Sequence, residues 1–461
     1  MTLIKSISGI RGTIGGKVDN GLTPIDAVKF AAAYGTWIKQ RNNNSKVKIV
    51  IGRDARLSGQ MISNLVVSTL VGLGIDVVNL DLSTTPTVEV AVTMENAQGG
   101  IILTASHNPK QWNALKLLNE KGEFISGKDG EEVLNIASSE DFMFAEVDDL
   151  GNETFDDSYL EKHIKAILDL PLVDIDAIKN ANFKVVVDAV NSTGGVFVPA
   201  LLEALGVHSV TKLYCEPTGH FPHNPEPLPE HLTDLSEKMI SEKADVGITV
   251  DPDVDRLALV CEDGSMFGEE YTLVAVADYV LTHTPGATVS NLSSTRALRD
   301  VTEERGLNYH SAAVGEVNVV SQMKKVNAVI GGEGNGGIIY PELHYGRDSL
   351  VGIALFLSHL AHKKMKLSEL RDSYPKYTIS KNKIELTPSI DVDNVLAKMA
   401  DKYSEYEVDT LDGVKIYIEK EWVHLRKSNT EPIIRIYSES ETAEKANELA
   451  FKIMEDIKKL S

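Results

Sequence analysis

The chain has 461 residues, 43% of them apolar, with a formal net charge of −21 and a sequence pI near 5.0. That length suggests about three domains at ~150 residues each, and so acidic a surface repels nucleic acid and anionic membranes, which are set aside as partners. No apolar run reaches ~18 residues, no charged-then-apolar leader opens the chain, and Cys215 and Cys261 are too few for a disulfide framework, so a soluble cytoplasmic protein is expected.

Strands and helices alternate from the start. Ser8-Gly9-Ile10-Arg11-Gly12 reads as a flexible loop carrying an arginine. Thr23-Pro24 marks a helix start, with Thr as N-cap and Pro in the first turn, and the helix runs to about Gln40. Lys46 to Ile51 reads as a strand, Ser58 to Leu73 as a helix, Asp76 to Leu82 and Gly99 to Thr104 as strands. An acidic stretch, Ser138 to Leu160, has eight acidic residues and no basic one, and is read as an exposed connection. A second unit begins at the strand Lys184 to Asp188, followed by a helix over Val196 to Leu205 and a strand over Val210 to Tyr214. A third, from about Glu269, has a helix over Thr295 to Arg305 and strands over Asn308 to Ala312 and Ala328 to Ile330. Each unit has a helix closing at a glycine (Gly74, Gly206, Gly306), the usual left-handed cap, which suggests weak internal repetition. From about Lys376 the pattern becomes α+β, with strands near Ile384, Val414 to Ile418, Trp422 to Leu425 and Ile433 to Tyr437, and a final helix to Lys459.

In doubly wound sheets ligands bind outside the carboxyl ends of strands. The most informative stretch lies at such an end. Asp251-Pro252-Asp253-Val254-Asp255-Arg256 follows the apolar run Asp245 to Val250. In an extended backbone its three carboxylates project to one side, and oxygen-only ligands select a hard cation such as Mg²⁺, Mn²⁺ or Ca²⁺. Arg256 then places a guanidinium where an anion such as phosphate can be gripped. With Glu262 the spacing also matches an EF-hand loop, but Arg256 occupies the obligate glycine position and the next five residues read as a strand. A solvated acidic turn is the other alternative.

Thr104-Ala105-Ser106-His107-Asn108-Pro109 presents a hydroxyl beside an imidazole, either a nucleophile or phosphate carrier or an ordinary Ser/Asn/Pro turn. Lys116 lies ten residues beyond Ser106. Gly331 to Gly337 lets backbone approach a ligand, and Glu333 and Asn335 can meet sugar hydroxyls there, unless it is a plain turn. It lacks the Gly-Lys-Ser/Thr end of a P-loop. Arg426-Lys427-Ser428-Asn429-Thr430-Glu431-Pro432 with Arg435 reads as a phosphate grip or a charged hairpin. A chain this acidic needs such local basicity to hold a phosphorylated substrate.

Together these loops resemble the α-D-phosphohexomutase superfamily over nearly the whole chain. Thr104 to Pro109 is similar to its phosphoserine motif, Asp251 to Arg256 to its metal loop, Glu333 to Gly336 to its sugar loop and Arg426 to Pro432 to its phosphate loop. Gly52-Arg53-Asp54, Thr85-Pro86-Thr87 and Phe221 to Pro227 agree. The resemblance implies three related α/β domains (1–150, 151–260 and 261–372) and a C-terminal α+β domain like a TATA-binding-protein module (373–461), around one cleft. It implies an enzyme phosphorylated on Ser106, with Mg²⁺ held by that phosphate and by Asp251, Asp253 and Asp255. Phosphate would pass between Ser106 and a hexose phosphate through a 1,6-bisphosphate, which also serves as activator. Arg11, His107 and Lys116 would assist at the phosphoryl group, with Lys116 and Arg11 as candidates for proton transfer. Arg256 would sit beside the transferred group, Glu333 and Asn335 would bind the sugar, and Arg426, Ser428, Asn429, Thr430 and Arg435 the other phosphate. Asn335, Pro252 and Ala114 stand where Ser, Gly and Gly are usual. The Glu-x-Asn-Gly form, with Val314-Gly315-Glu316 upstream, resembles the phosphoglucosamine mutase branch; phosphomannomutase or phosphoglucomutase is the alternative, and a metal-dependent phosphatase the reading from another class. A monomer or homodimer is expected.

Overall fold

The computed structural model describes residues 2–6, 9–43, 45–385, 391–427 and 433–460. Ser8, Ser428, Asn429 and Thr430, singled out above, lie outside the described residues. The chain forms two compact units, Met1–Thr272 with Gly336–Ser368, and Leu273–Asn335 with Glu369–Ser461.

The first unit holds two sheets. One has seven strands in the order Ile4–Ser6, Gly9–Thr13, Trp112–Leu118, Gly99–Leu103, Lys48–Arg53, Asp76–Leu82, Glu153–Phe155. Strands Gly99–Leu103, Lys48–Arg53 and Asp76–Leu82 pair in parallel, as βαβ connections require. Helices Pro24–Arg41 and Gly59–Gly72 cover one face, sharing a core that includes Phe30, Trp37, Ile49, Ile51, Ile62 and Leu70. Two expectations change here. Arg11 is not on a loop: it lies in the strand Gly9–Thr13, register partner of Ala114. The acidic stretch is not only a connection, because Glu153–Phe155 adds an edge strand parallel to Asp76–Leu82. Its residues are exposed, so the hydrogen-bonding edge, rather than an apolar face, recruits them.

The second sheet runs Leu257–Val260, Val246–Val250, Lys184–Asp188, Ser209–Leu213. Val246–Val250 is buried throughout and turns back antiparallel into Leu257–Val260. Helix Ser349–Lys363 returns to this unit after the chain has visited the other, packing on helices Tyr159–Leu168, Ile175–Ala181 and Gly194–Ala204. Thirteen of its fifteen residues are buried, and Asp348 caps it, its Oδ1 accepting from Leu350 N at 2.7 Å. Such a cap contributes about 1 kcal/mol.

In the second unit, Thr288–Asn291 pairs in parallel with Tyr309–Ala312 and with Ile330–Glu333. The sequence reading ends that last strand at Ile330; it begins there instead, so Glu333 is a strand residue. The C-terminal sheet is antiparallel, Thr378–Glu385, Ile433–Ser440, Glu421–Lys427, Val414–Ile418, Glu407–Asp409, backed by helices Val392–Lys402 and Ala443–Leu460. The three helix-closing glycines have φ of +79° (Gly74), +81° (Gly206) and +69° (Gly306), the left-handed conformation that only glycine adopts without strain.

Candidate active site

The site in the first unit is built from strand ends. Gly99–Leu103 runs straight into the Ser106 loop, and Ser106 has φ +48°, uncommon for a residue with a Cβ. Three bonds fix that kink. Ser106 N donates to Thr104 Oγ1 at 2.9 Å, Thr104 Oγ1 donates to Asp54 Oδ2 at 2.7 Å, and the Arg56 guanidinium donates to the Ser106 carbonyl. Arg56 has five N–H groups and all five are used. Nε meets Asp54 Oδ2 at 2.9 Å, Nη1 meets the carbonyls of Pro109 (2.9 Å) and Trp112 (3.1 Å), and Nη2 meets those of Asn108 (2.7 Å) and Ser106. Asp54 and Arg56 are fully buried. Phe221, from the Phe221 to Pro227 motif, faces the guanidinium at 5.2 Å. The sequence reading missed Arg56. The signal was its position two residues past Gly52-Arg53-Asp54.

Ser106 Oγ donates to Asp251 Oδ2 at 2.6 Å, so the hydroxyl and the acidic loop meet directly. Its remaining lone pairs face His107 Nδ1 at 3.3 Å. Burial, and then Arg256, push the His107 imidazole down to about 2, which leaves it neutral across physiological pH.

The acidic loop is not extended, as the sequence reading assumed; it is a turn. Val254 N donates to Asp251 O at 3.1 Å, with Val254 at φ +64°. The reason lies in the donors surrounding it. Thr85 N bonds Asp253 O (2.9 Å), Ser192 Oγ and Thr193 Oγ1 bond Pro252 O (2.7 and 3.0 Å), and Ser349 N bonds Val254 O (3.1 Å). The turn still brings Asp251, Asp253 and Asp255 together: all three are fully buried, with one oxygen from each within 4.8 Å of the others. Asp253 Oδ1 and Asp255 Oδ1 meet no hydrogen-bond donor among the described residues. Buried carboxylate oxygens without partners are costly, so the donor set fits a hard divalent cation. Glu262, the last EF-hand position, instead accepts from Ser368 N at 3.1 Å, and Leu257–Val260 is a strand, so that alternative fails.

Fixed cations partly offset the charge. Lys116 Nζ lies 2.7 Å from Asp253 Oδ2 and 3.4 Å from Asp255 Oδ2, and Arg347 Nη2 lies 2.7 Å from Asp255 Oδ2. Burial and then repulsion from Asp253 and Asp255 push the Asp251 carboxyl well above the usual range. Burial opposes charge on Asp253 as well, but the Lys116 ammonium outweighs it and holds that carboxyl low. Burial likewise disfavours the Lys116 ammonium, and the two carboxylates more than reverse that. Arg256 Nη1 lies 3.5 Å from Glu226 Oε1, and its Nε is 4.0 Å from Asp255 Oδ1. Arg11, diagonal to Lys116 across the strand pair, shares its face of the sheet. Arg347 was also missed, although Gly346-Arg347-Asp348 repeats the Gly-Arg-Asp of residues 52–54.

In the second unit, Glu333 is buried, its Oε1 accepting from Asn291 Nδ2 at 2.8 Å and Gly315 N at 3.0 Å. Gly334 N donates to Ser294 Oγ at 2.9 Å, and Asn335 is half-buried. Arg426 and Arg435 are cross-strand partners, and Arg435 also pairs in register with Lys383. Three cations thus form a row across the sheet, with Asp412 Oδ2 2.9 Å from Arg426 Nε. Like charges directly opposite one another destabilise a sheet; a bound anion relieves that. Lys383, beside Glu385 at 3.8 Å, was not singled out from the sequence.

The chain matches phosphoglucomutase/phosphomannomutase alpha/beta/alpha domain I over residues 3–144, domain II over 157–264, domain III over 268–377 and the C-terminal domain over 383–456. It is 36% identical over 454 residues to a phosphoglucomutase/phosphomannomutase of Thermococcus kodakarensis, covering 96% of this chain and 98% of the relative. It is 31% identical over 451 residues to a phosphoglucosamine/phosphogalactosamine mutase of Sulfurisphaera tokodaii, with 96% of each covered. The crystal structure of a phosphoglucomutase/phosphomannomutase family protein from Burkholderia thailandensis superposes with a TM-score of 0.85 at 25% identity, over 100% of this chain and 98% of that one. Fold and site together define an isomerase that works by phosphoryl transfer, a phosphohexomutase. The chain belongs to the phosphoglucomutase/phosphomannomutase family.

Among the described residues, no helix is long and apolar enough to cross a membrane.

Proposed function

We propose that this enzyme interconverts hexose 1-phosphate and hexose 6-phosphate through a phosphorylated Ser106 and a 1,6-bisphosphate, with glucosamine phosphate as the preferred sugar. The observation that carries the mechanism is the 2.6 Å bond between Ser106 Oγ and Asp251 Oδ2 inside a buried carboxylate cluster. A serine so placed has little structural reason to be there and a clear chemical one. Phosphoryl transfer depends on positioning and charge neutralisation. In the forward half-reaction the bond from phosphorus to Ser106 Oγ breaks while a bond to the sugar hydroxyl oxygen forms, and the hydroxyl proton must leave. Lys116 and Arg11 are the candidates for handling it. His107, held neutral, can donate Nδ1–H to Ser106 Oγ. Arg256 steadies the transferred group. In the second half-reaction the bisphosphate returns its other phosphate to Ser106.

Asp251, Asp253 and Asp255, with the Ser106 phosphate, would hold Mg²⁺, which supplies neutralisation of charge on the phosphoryl oxygens. Glu333 and Asn335 would bind sugar hydroxyls. Arg426 and Arg435, with Ser428, Asn429 and Thr430 between them in sequence, would hold the phosphate that is not reacting. Domain limits near residues 150, 260 and 372 belong to this reading.

The sugar preference rests on the Glu333-Gly334-Asn335-Gly336 form and on relatives such as the S. tokodaii phosphoglucosamine/phosphogalactosamine mutase. The T. kodakarensis relative favours glucose and mannose phosphates as the second reading. The test measures kcat/KM for glucosamine, glucose and mannose 1-phosphates on one preparation with bisphosphate activator. A ~10-fold preference for glucose or mannose phosphate, about 1.4 kcal/mol, would move the assignment to that reading. Mutase turnover by Ser106→Ala at the wild-type rate would end the mechanism.

A further inference from the structure

A second cluster of ligand-type side chains lies within the first unit, built from residues that the mutase reading does not use. His163 sits in helix Tyr159–Leu168, Glu89 in helix Thr85–Met94, and His344 and Asp348 in the segment that leads into helix Ser349–Lys363. His163 Nε2 lies 3.0 Å from Asp348 Oδ2, and His344 Nε2 lies 3.3 Å from the same oxygen. His163, Glu89 and Asp348 are buried, and the His344 side chain is nearly so. One ligand atom from each of His163, His344 and Asp348 falls within 4.8 Å of the others. Two ligands each about 2.0–2.2 Å from a tetrahedral zinc stand about 3.3–3.6 Å apart, which the His344 spacing meets and the His163 spacing, now a hydrogen bond at 3.0 Å, would reach by opening slightly.

The outer contacts fit ligation as well. Asp348 commits Oδ1 to capping its helix, at 2.7 Å from Leu350 N, which leaves Oδ2 to face both imidazoles. His163 Nδ1 lies 2.9 Å from Thr87 Oγ1, and His344 Nδ1 lies 3.3 Å from Glu89 Oε2. A hydroxyl or carboxylate on the far nitrogen is the usual partner of a metal-bound histidine, fixing the tautomer with Nε2 free. Gly346 lets the segment pass, since a Cβ there would come within 1.8 Å of Glu89 Oε2. Two imidazoles and a carboxylate suit zinc or cobalt rather than magnesium, whereas the Asp251 cluster has oxygen alone. With both histidines neutral, a divalent cation balances the charges of Glu89 and Asp348.

We infer that His163, His344 and Asp348 form a structural zinc-class site, distinct from the magnesium-type site, that ties helix Tyr159–Leu168 to the start of Ser349–Lys363. The competing account is a metal-free ion-pair cluster around a protonated His344. The test uses the full-length protein, stripped of metal, loaded with zinc sulfate and dialysed against excess Mg²⁺. About one zinc per chain is expected to remain in the wild type and in Asp253→Asn, falling to below ~0.1 per chain in His163→Gln. Cobalt chloride in place of zinc should give the visible absorption of a four- or five-coordinate imidazole-ligated ion. Should His163→Gln fail to fold, anomalous scattering at the zinc edge from wild-type crystals decides, with a peak expected between His163, His344 and Asp348. No retained zinc, zinc lost in Asp253→Asn, or a peak only at the Asp251 cluster would overturn the inference.

Discussion

Replacing Arg56 by lysine separates positioning of the nucleophile from simple stability. The guanidinium satisfies five acceptors, one carboxylate oxygen and the four carbonyls of Ser106, Asn108, Pro109 and Trp112. An ammonium has three donors on a single atom, so at least two carbonyls lose theirs. At about 0.5–1.5 kcal/mol per bond the loss is roughly 1–3 kcal/mol. For a unit of roughly 300 residues that lowers Tm by about 2–5 °C, while Asp54 keeps an opposite charge. Turnover should suffer more. The Ser106 carbonyl is one of the four that compete for the remaining donors, and its residue is held at φ +48° by these contacts; a displacement of about 1 Å at a reacting atom costs ~10²-fold. Arg56→Met removes the charge too. Breaking a buried pair costs about 3–5 kcal/mol, at the lower end here, because burial already pushes the Asp54 carboxyl up and it can escape by protonation. Melting temperature and mutase kcat measured on both variants test this. If Arg56→Lys turns over at the wild-type rate, or loses rate only in proportion to unfolded protein, Arg56 is structural and the reasoning is wrong.

Chelation should abolish turnover and Mg²⁺ restore it, and Asp→Asn at 251, 253 or 255 should cut kcat by at least ~10²-fold, about 2.7 kcal/mol of barrier; full activity in metal-free buffer contradicts this. Arg426→Ala should raise KM for both the 1- and the 6-phosphate sugar, and Lys383→Ala should do so more weakly; an effect on one phosphate alone would break the two-orientation scheme. His424 gives a pH signature. It is buried, its Nε2 donates to Asp412 O at 2.7 Å, and burial and then Lys415 push it down to about 3. Between that value and the ordinary ~6.5 the unfolded chain binds the extra proton, so this contribution is complete above pH ~6.5 and fades as pH falls towards 3. Chemical denaturation of His424→Gln from pH 7 to 4 should show a smaller loss of stability on acidification than the wild type; an equal loss counts against it.

What could be read from sequence followed what local chemistry encodes. Helix Pro24–Arg41, strand Asp76–Leu82 and the glycine caps were legible because periodicity, Thr-Pro starts and Gly stops act over a few residues. Ser106 and the three aspartates were legible because their spacing already implies chemistry. Arg56 and Arg347 were not, since their roles come from partners 50 to 92 residues away in sequence. The Asp251 loop misled in a different way. Alternation suggested an extended backbone, but donors from Thr85, Ser192, Thr193 and Ser349 bend it into a turn. Glu153–Phe155 was hidden because an exposed edge strand carries no apolar alternation.

The return of the chain to the first unit at Gly336 also sets the order in which that unit can be completed during synthesis. Helix Ser349–Lys363, nearly all of it buried, is the last large piece and covers Phe267, whose ring meets Phe356 at 5.4 Å. Ribosomes add ~5–20 residues per second, so the surface awaiting that helix stays bare for about 5–18 s after Thr272 has been made. The nascent first unit therefore exposes that apolar surface until helix Ser349–Lys363 has been made. A chain cut at Thr272 lacks that cover altogether.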